Sequence, residues 1–150
     1  MDIKSLLKLL NEHNVRYLII GAYAFPLYGY TRATMDIDIF IEPTPENAKN
    51  TIAALTQFGY DMTEISPDEM LKKKILIRQY ELETDIHPFV TGVNFADVWK
   101  NKTPGQIEGI PVNFPSLDDL INMKQAAGRP KDIQDLEMLR QLKNMSGQQQ

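Results

Sequence analysis

Apolar and polar positions alternate with two different periods along the chain. Apolar residues at helical spacing predict helices over residues 2–13, 44–58 and 116–128, short helices from residues 66 and 94, and a last helix that opens at Pro130. Strand-like patterns occupy residues 16–20, 35–41, 75–82 and 84–90, and a hairpin is expected over 106–114. This order predicts an α+β (mixed α/β) fold, in which a mixed sheet carries helices mainly on one face and a helical pair ends the chain.

The segment Met35–Ile41 carries two carboxylates on an otherwise apolar strand. Because side chains alternate between the faces of a strand, Asp36 and Asp38 share one face, roughly 7 Å apart at the backbone. Two neighbouring acids raise each other's pKa, and burial raises both values further. A hard divalent cation, Mg²⁺ or Mn²⁺, would compensate the charges. The polar face of an edge strand explains the segment equally well.

Further features on either side of this strand favour the cation. Gly21 stands directly between a strand and a short helix predicted over residues 21–28, where glycine permits close approach and helix N–H groups receive an anion. Asp85 is the best candidate for a third carboxylate, with Glu83 as the alternative on the same face. Nucleotidyl transfer uses such carboxylates to hold the ions that neutralise phosphate oxygens. More simply, Gly21 is a tight turn and Asp85 pairs with Arg78 or caps the turn before Pro88.

Composition limits the other functional classes. A chain of 150 residues suggests one domain, which we expect over residues 1–145, with residues 146–150 as a disordered tail. A net charge of −4 gives no overall basic field for nucleic acid or a membrane surface. There is no cysteine, no apolar run of membrane-spanning length and no pattern of a signal peptide, so we expect a cytoplasmic protein with no membrane partner.

The order of these motifs resembles the DNA polymerase β-like nucleotidyltransferase superfamily. Its signature is a glycine followed by glycine or serine, an acid–apolar–acid strand, and a later third acid; here Gly21-Ala22 precedes Asp36-Ile37-Asp38. The runs 28–38 and 117–136 are especially similar to small bacterial members of the minimal and toxin-associated type, and more loosely to aminoglycoside nucleotidyltransferases. The resemblance covers most of the chain. It departs at Ala22, since alanine lacks the hydroxyl that serine offers to phosphates.

This resemblance implies a nucleotidyltransferase-like sheet and an enzyme that moves a nucleoside monophosphate from a nucleoside triphosphate to a hydroxyl. The implied catalytic and metal-binding residues, which would hold Mg²⁺ (or Mn²⁺), are Asp36, Asp38 and Asp85. The implied nucleotide-binding residues are Gly21, Ala22, Arg32, Lys124, Arg129 and Lys131. A structural explanation is equally open for the distal run, with Lys124 along a helix edge and residues 129–132 as an interhelical turn.

The acceptor is open at this stage: a small molecule, a protein side chain and a transfer RNA end all suit the motifs. A protein partner or a homodimer is compatible with so short a chain. The alternative function is a catalytically silent nucleotidyltransferase-fold module for binding or regulation, such as one half of a toxin–antitoxin pair. Ala22 and the short chain motivate that alternative. His87 is interpreted as a packed or surface residue and left out of the metal site.

Overall fold

A computed structural model describes residues 2–148. Its α-helices are α1 (Ile3–Glu12), α2 (Pro45–Phe58), α3 (Pro67–Lys72), α4 (Phe95–Lys100), α5 (Leu117–Ala127) and α6 (Ile133–Gln148). Its strands are β1 (Tyr17–Ile20), β2 (Asp36–Ile41), β3 (Ile75–Ile77), β4 (Glu83–His87), β5 (Thr103–Ile107) and β6 (Ile110–Phe114). Two 3₁₀ helices, Gly21–Tyr28 and Pro130–Asp132, complete the elements. Within these residues, no helix is both long and apolar enough to cross a membrane.

The central sheet is small and mixed. Its strand order is β1-β2-β4-β3, with β2 parallel to β4 and the two outer pairs antiparallel. Strands β5 and β6 form a separate hairpin that turns at Glu108 and Gly109, both with positive φ. The predicted α+β class with a mixed sheet is confirmed.

Strand β2 divides the apolar core from a polar cleft. Ile37, Ile39 and Ile41 are fully buried in the same apolar cluster as the inward leucines of α1 and the alanines of α2. The opposite face carries Asp36, Asp38 and Phe40, as the period of a strand requires. Phe40 is buried and meets Phe95 of α4 edge-on at 5.2 Å between ring centres. The two carboxylates therefore lie on the face opposite to the α1–α2 layer.

The C-terminal helices are positioned by local signals in the sequence. Ser116 caps α5, because its hydroxyl accepts a hydrogen bond from the amide of Asp119 at 3.1 Å. Gly128 ends α5 in the left-handed conformation, with φ of 60°, and Pro130 opens the following 3₁₀ helix. The turn between the two helices therefore carries Arg129 and Lys131 at a fixed position.

Several segment boundaries differ from the sequence prediction, among them that of the strand predicted over 84–90, which runs over Glu83–His87. The strand predicted over 75–82 ends at Ile77, because Arg78 turns to Asp85 and Gln79 bonds the backbone of Asp61. The hairpin begins at Thr103 rather than at residue 106. Helix α6 continues through Ser146–Gln148, where a disordered tail was predicted, and residues 149–150 of that tail lie outside the described part.

Candidate active site

The parallel pairing of β2 and β4 gathers the acids. Asp36 lies opposite Glu83, and Asp38 lies opposite Asp85, in a register that puts all four on one face of the sheet. Asp38 and Asp85 each offer a carboxylate oxygen within 4.8 Å of the other and of a ring nitrogen of His87. Two of the three predicted acids, Asp38 and Asp85, thus converge with a histidine.

These side chains lie in an open cleft of about 610 Å³. The cleft is lined by all three predicted acids and by all six residues predicted to contact a nucleotide. Glu83 is not part of this lining, and its side chain points partly to solvent with 34% exposure. Of the two candidates for the third carboxylate, Asp85 is the one that lines the cleft, and its side chain is only 4% exposed.

Gly21 is required where it stands. Its φ is +69°, and a Cβ added there would lie 2.5 Å from Oδ2 of Asp38. The pairing of Ile20 with Asp38 across β1 and β2 brings the two backbones to this approach. Gly21 thus opens its 3₁₀ helix directly against a carboxylate of the cluster, and a larger residue would force either that carboxylate or the start of the helix to move. The following Ala22 is buried and lines the cleft.

The acids have opposite pKa shifts. Burial opposes ionisation of Asp36, but hydrogen bonds from Thr34 and Asp85 outweigh it, and its pKa is lowered. Burial raises the pKa of Asp85, as does the charge of Asp38, although Arg78 donates a hydrogen bond of 2.6 Å to its Oδ1. Without a cation, Asp85 therefore retains a proton more readily than Asp36 does.

Two basic residues flank Asp85 on the side of the outer strand β3. Besides Arg78, the Nζ atom of Lys74 lies 4.0 Å from Oδ2 of Asp85. The guanidinium of Arg78 also lies 3.6 Å from Glu83. The Arg78–Asp85 pair that the sequence left as an alternative is therefore present, and it coexists with the convergence of the acids.

The predicted phosphate-binding cations are held by two buried aspartates. Arg32 binds Asp135 through two hydrogen bonds of 2.9 Å. Lys124 lies 3.2 Å from Asp132 and 3.3 Å from Asp135, and Arg129 lies 2.7 Å from Asp132. These pairs fix three positive groups along one wall of the cleft. By contrast, Lys131 is exposed and forms no ion pair within residues 2–148.

His87, which the sequence interpretation left out of the metal site, lies beside the acids. Its Nε2 lies 2.8 Å from Oδ1 of Asp38, and its side chain is 14% exposed. The signal was available, because Asp85-Ile86-His87 has the same spacing as Asp36-Ile37-Asp38 and residues two apart share a strand face. Lys74 and Arg78 were also left outside the site.

Comparison with known proteins decides the family. A family model described as a nucleotidyltransferase of unknown function (DUF6036) matches residues 1–146. The chain belongs to this nucleotidyltransferase family. The small nucleotidyltransferase type suggested by the glycine and acid motifs is thereby confirmed. Among curated proteins, no sequence matches the chain.

Solved structures agree with this nucleotidyltransferase fold. ANT(2″)-Ia in complex with adenylyl-2″-tobramycin is 20% identical with a TM-score of 0.61, over 91% of this chain and 84% of that one. The lincosamide antibiotic adenylyltransferase LnuA, bound to lincomycin, is 15% identical with a TM-score of 0.61, over 95% and 98%. A protein of Thermotoga maritima described as a nucleotidyltransferase is 17% identical with a TM-score of 0.57, over 95% and 91%. At these identities the likeness concerns the fold.

The nucleotidyltransferase cleft fits a divalent cation. Carboxylate oxygens are the ligands that Mg²⁺ and Mn²⁺ take, and the carboxylates of Asp36, Asp38 and Asp85 share this face and line the cleft. Burial, and to a smaller extent the charge of Asp38, raises the pKa of Asp85, and a cation among the carboxylates would favour its ionised form. The missing Cβ of Gly21 leaves Oδ2 of Asp38 unobstructed.

Asp132 makes the cation wall sensitive to acid. Burial opposes its ionisation, but hydrogen bonds from Arg129 and Lys124 prevail and hold its pKa at about 2, below the ordinary 3.8. Its contribution to stability is therefore fully present above pH 3.8 and is lost as the pH falls towards 2. We expect Asp132→Asn to lower the free energy of unfolding by about 2 kcal/mol at pH 7.

Urea unfolding at pH 7 and near pH 2 measures this effect. The difference between Asp132→Asn and wild type should shrink at the lower pH, where Asp132 of the wild type is itself becoming protonated. Asp118→Asn is the control, since Asp118 is 66% exposed and its pair with Lys143 lies on the surface. That variant should lose less than about 1 kcal/mol. A loss for Asp132→Asn that is equal at both pH values would contradict the assignment.

Proposed function

We propose that this protein is a Mg²⁺- or Mn²⁺-dependent nucleotidyltransferase that moves a nucleoside monophosphate from a nucleoside triphosphate to a hydroxyl group. One observation carries the proposal. Every residue that the superfamily resemblance implicates, three acids and six nucleotide contacts, lines the same cleft. These residues come from segments as distant as the 3₁₀ helix after β1 and the turn after α5, so their convergence is not a local effect of sequence.

Asp36, Asp38 and Asp85 would hold the metal. When bound, the ion neutralises the oxygens of the attacked phosphate and favours ionisation of the acceptor hydroxyl. Asp85 accepts the proton of that hydroxyl as the new oxygen–phosphorus bond forms and pyrophosphate leaves. Thr34 orients Asp36, since its hydroxyl donates to Oδ1 at 3.0 Å.

The nucleotide would be held from two sides. At the start of the 3₁₀ helix, the backbone N–H groups of Gly21 and Ala22 donate to phosphate oxygens. On the other wall, Arg32, Lys124 and Arg129 supply positive charge. These three cations outnumber the two aspartates that position them, so the wall keeps an excess positive charge for a triphosphate. Because the wall is already ordered, less conformational entropy is lost on binding. The exposed Lys131 adds a further cation.

The acceptor can be a small molecule, a protein side chain or a transfer RNA end. ANT(2″)-Ia and LnuA were solved with an adenylylated and an unmodified antibiotic respectively, which makes small molecules a reasonable first class to test. A protein partner or a second copy of the chain could complete the acceptor side.

A catalytically silent module is the second candidate function. Two observations favour it: Ala22 brings no hydroxyl to the phosphates, and Arg78 with Lys74 partly neutralises Asp85. In that case the cleft would bind a nucleotide or a protein partner without transfer. One half of a toxin–antitoxin pair would behave in this way.

Product analysis tests the first candidate. The protein is incubated with isotope-labelled ATP, GTP, CTP and UTP, Mg²⁺ or Mn²⁺, and a host lysate, and labelled products are identified by mass spectrometry. We expect one acceptor to gain a nucleoside monophosphate, with release of pyrophosphate, and the gain to disappear with Asp36→Asn/Asp38→Asn. No product and no nucleotide binding by calorimetry would contradict transfer. Nucleotide binding or a stoichiometric protein partner without product would favour the silent module.

A further inference from the structure

His87 belongs to the acid cluster by position and by distance. It follows Asp85 by two residues on β4, so both side chains point to the cleft face. Its Nε2 lies 2.8 Å from Oδ1 of Asp38, and its ring is largely shielded from solvent. Asp38, Asp85 and His87 are the group of potential metal ligands that the described part of the chain brings within 4.8 Å.

We infer that His87 is itself a metal ligand, and that the cleft holds a mixed oxygen–nitrogen site selective for a first-row transition ion over Mg²⁺. The inference rests on the proposed function only in placing a divalent ion between Asp38 and Asp85. It changes the identity of that ion. It adds an imidazole nitrogen from β4 to two carboxylate ligands, one from β2 and one from β4.

The chemistry of the donors supports this selectivity. Mg²⁺ binds oxygen ligands almost exclusively and retains several waters, so an imidazole contributes little to its affinity. Transition ions accept imidazole readily, and a set of two carboxylates and one imidazole suits them better than an oxygen-only set. Mn²⁺ is the suitable probe, since it also accepts carboxylates and its unpaired electrons report on bound nitrogen.

A structural role for His87 predicts a different result. If the ring only donates a hydrogen bond that orients Asp38, its removal weakens every divalent ion to a similar extent, as loss of an outer-shell partner does. If the ring binds the ion, its removal weakens Mn²⁺ much more than Mg²⁺. A glutamine at position 87 retains a donor for Asp38 and therefore separates the two roles.

The experiment uses the full chain with Mn²⁺ and pulsed electron paramagnetic resonance. His13 provides the control, because the chain has only two histidines and His13 lies at the end of α1, bonded to Gln57 at 2.7 Å. We expect an imidazole nitrogen coupling to Mn²⁺ in wild type and in His13→Gln, and its loss in His87→Gln. Mn²⁺ affinity should fall roughly tenfold or more in His87→Gln, while Mg²⁺ affinity, measured by competition, changes by less than about threefold.

Each outcome decides the inference. Bound Mn²⁺ without nitrogen coupling in wild type, or coupling that persists in His87→Gln, overturns it and leaves the proposed nucleotidyltransferase intact. Affinities for Mn²⁺ and Mg²⁺ that fall equally in His87→Gln, or that do not change, overturn it in favour of a positioning role. If Mn²⁺ does not bind wild type with or without nucleotide, the proposed function loses its metal as well. Should His87→Gln fail to fold, ¹⁵N-histidine labelling of His13→Gln supplies the same assignment.

Discussion

Asp38→Asn is expected to lower the rate of nucleotidyl transfer by roughly 10³-fold, equivalent to about 4 kcal/mol of lost transition-state stabilisation. Asp38 is the carboxylate on which the site converges. Its Oδ2 faces Gly21, its Oδ1 lies 2.8 Å from His87, and it pairs with Asp85 across the parallel strands. Asparagine keeps the shape of the side chain but removes the charge that holds a divalent ion.

The same measurement distinguishes the two candidates for the third carboxylate. Asp85→Asn should lose activity to a similar degree, whereas Glu83→Gln should retain it within about threefold, because Glu83 does not line the cleft. Activity is followed as pyrophosphate release with the acceptor found by mass spectrometry. Urea unfolding should show Asp38→Asn at least as stable as wild type, since one of several like charges is removed. Loss of activity in Glu83→Gln with retention in Asp85→Asn would reverse the assignment.

Local sequence patterns predict much of the fold. Strand β2 was predictable because alternation with period two is a property of neighbouring residues, and the caps of α5 likewise depend on Ser116 and Gly128 alone. The short length of β3 was not predictable in this way. Arg78 departs from the strand pattern because it pairs with Asp85 on the neighbouring strand β4, and the sequence of the segment itself does not reveal this contact.

The same distinction between local patterns and long-range contacts applies to the site. The acid pair, Gly21 and the family are visible in short motifs, and the family is confirmed by the match over residues 1–146. The ion pairs that anchor the cations of the cleft are not visible in such motifs. Arg32 reaches Asp135, 103 residues away, and no spacing rule connects two residues at that separation. His87 was accessible to reasoning, because the alternation that put Asp36 beside Asp38 also puts His87 beside Asp85.

Gly21→Ala is expected to reduce nucleotidyl transfer by about 10²-fold, since displacement of a catalytic group by about 1 Å has an effect of this size. The new Cβ would lie 2.5 Å from Oδ2 of Asp38, so either the carboxylate or the start of the 3₁₀ helix must move. The residue also keeps a φ of +69°, which costs about 1–2 kcal/mol for a side chain with a Cβ. Transfer rates and urea unfolding of the same preparation measure the two effects.

Gly109→Ala separates backbone strain from displacement of the carboxylate. Gly109 has a φ of +81°, and an added Cβ there would meet nothing within 4 Å, because it lies in the turn between β5 and β6. Backbone strain should therefore cost each variant about 1–2 kcal/mol of unfolding free energy, but only Gly21→Ala, in which the new Cβ also meets Asp38, should lose activity and affinity for the divalent ion. Equal activity losses would mean that strain, and not contact with Asp38, explains the glycine. Full activity in Gly21→Ala would mean that Asp38 tolerates displacement, which is incompatible with a ligand at the centre of the site.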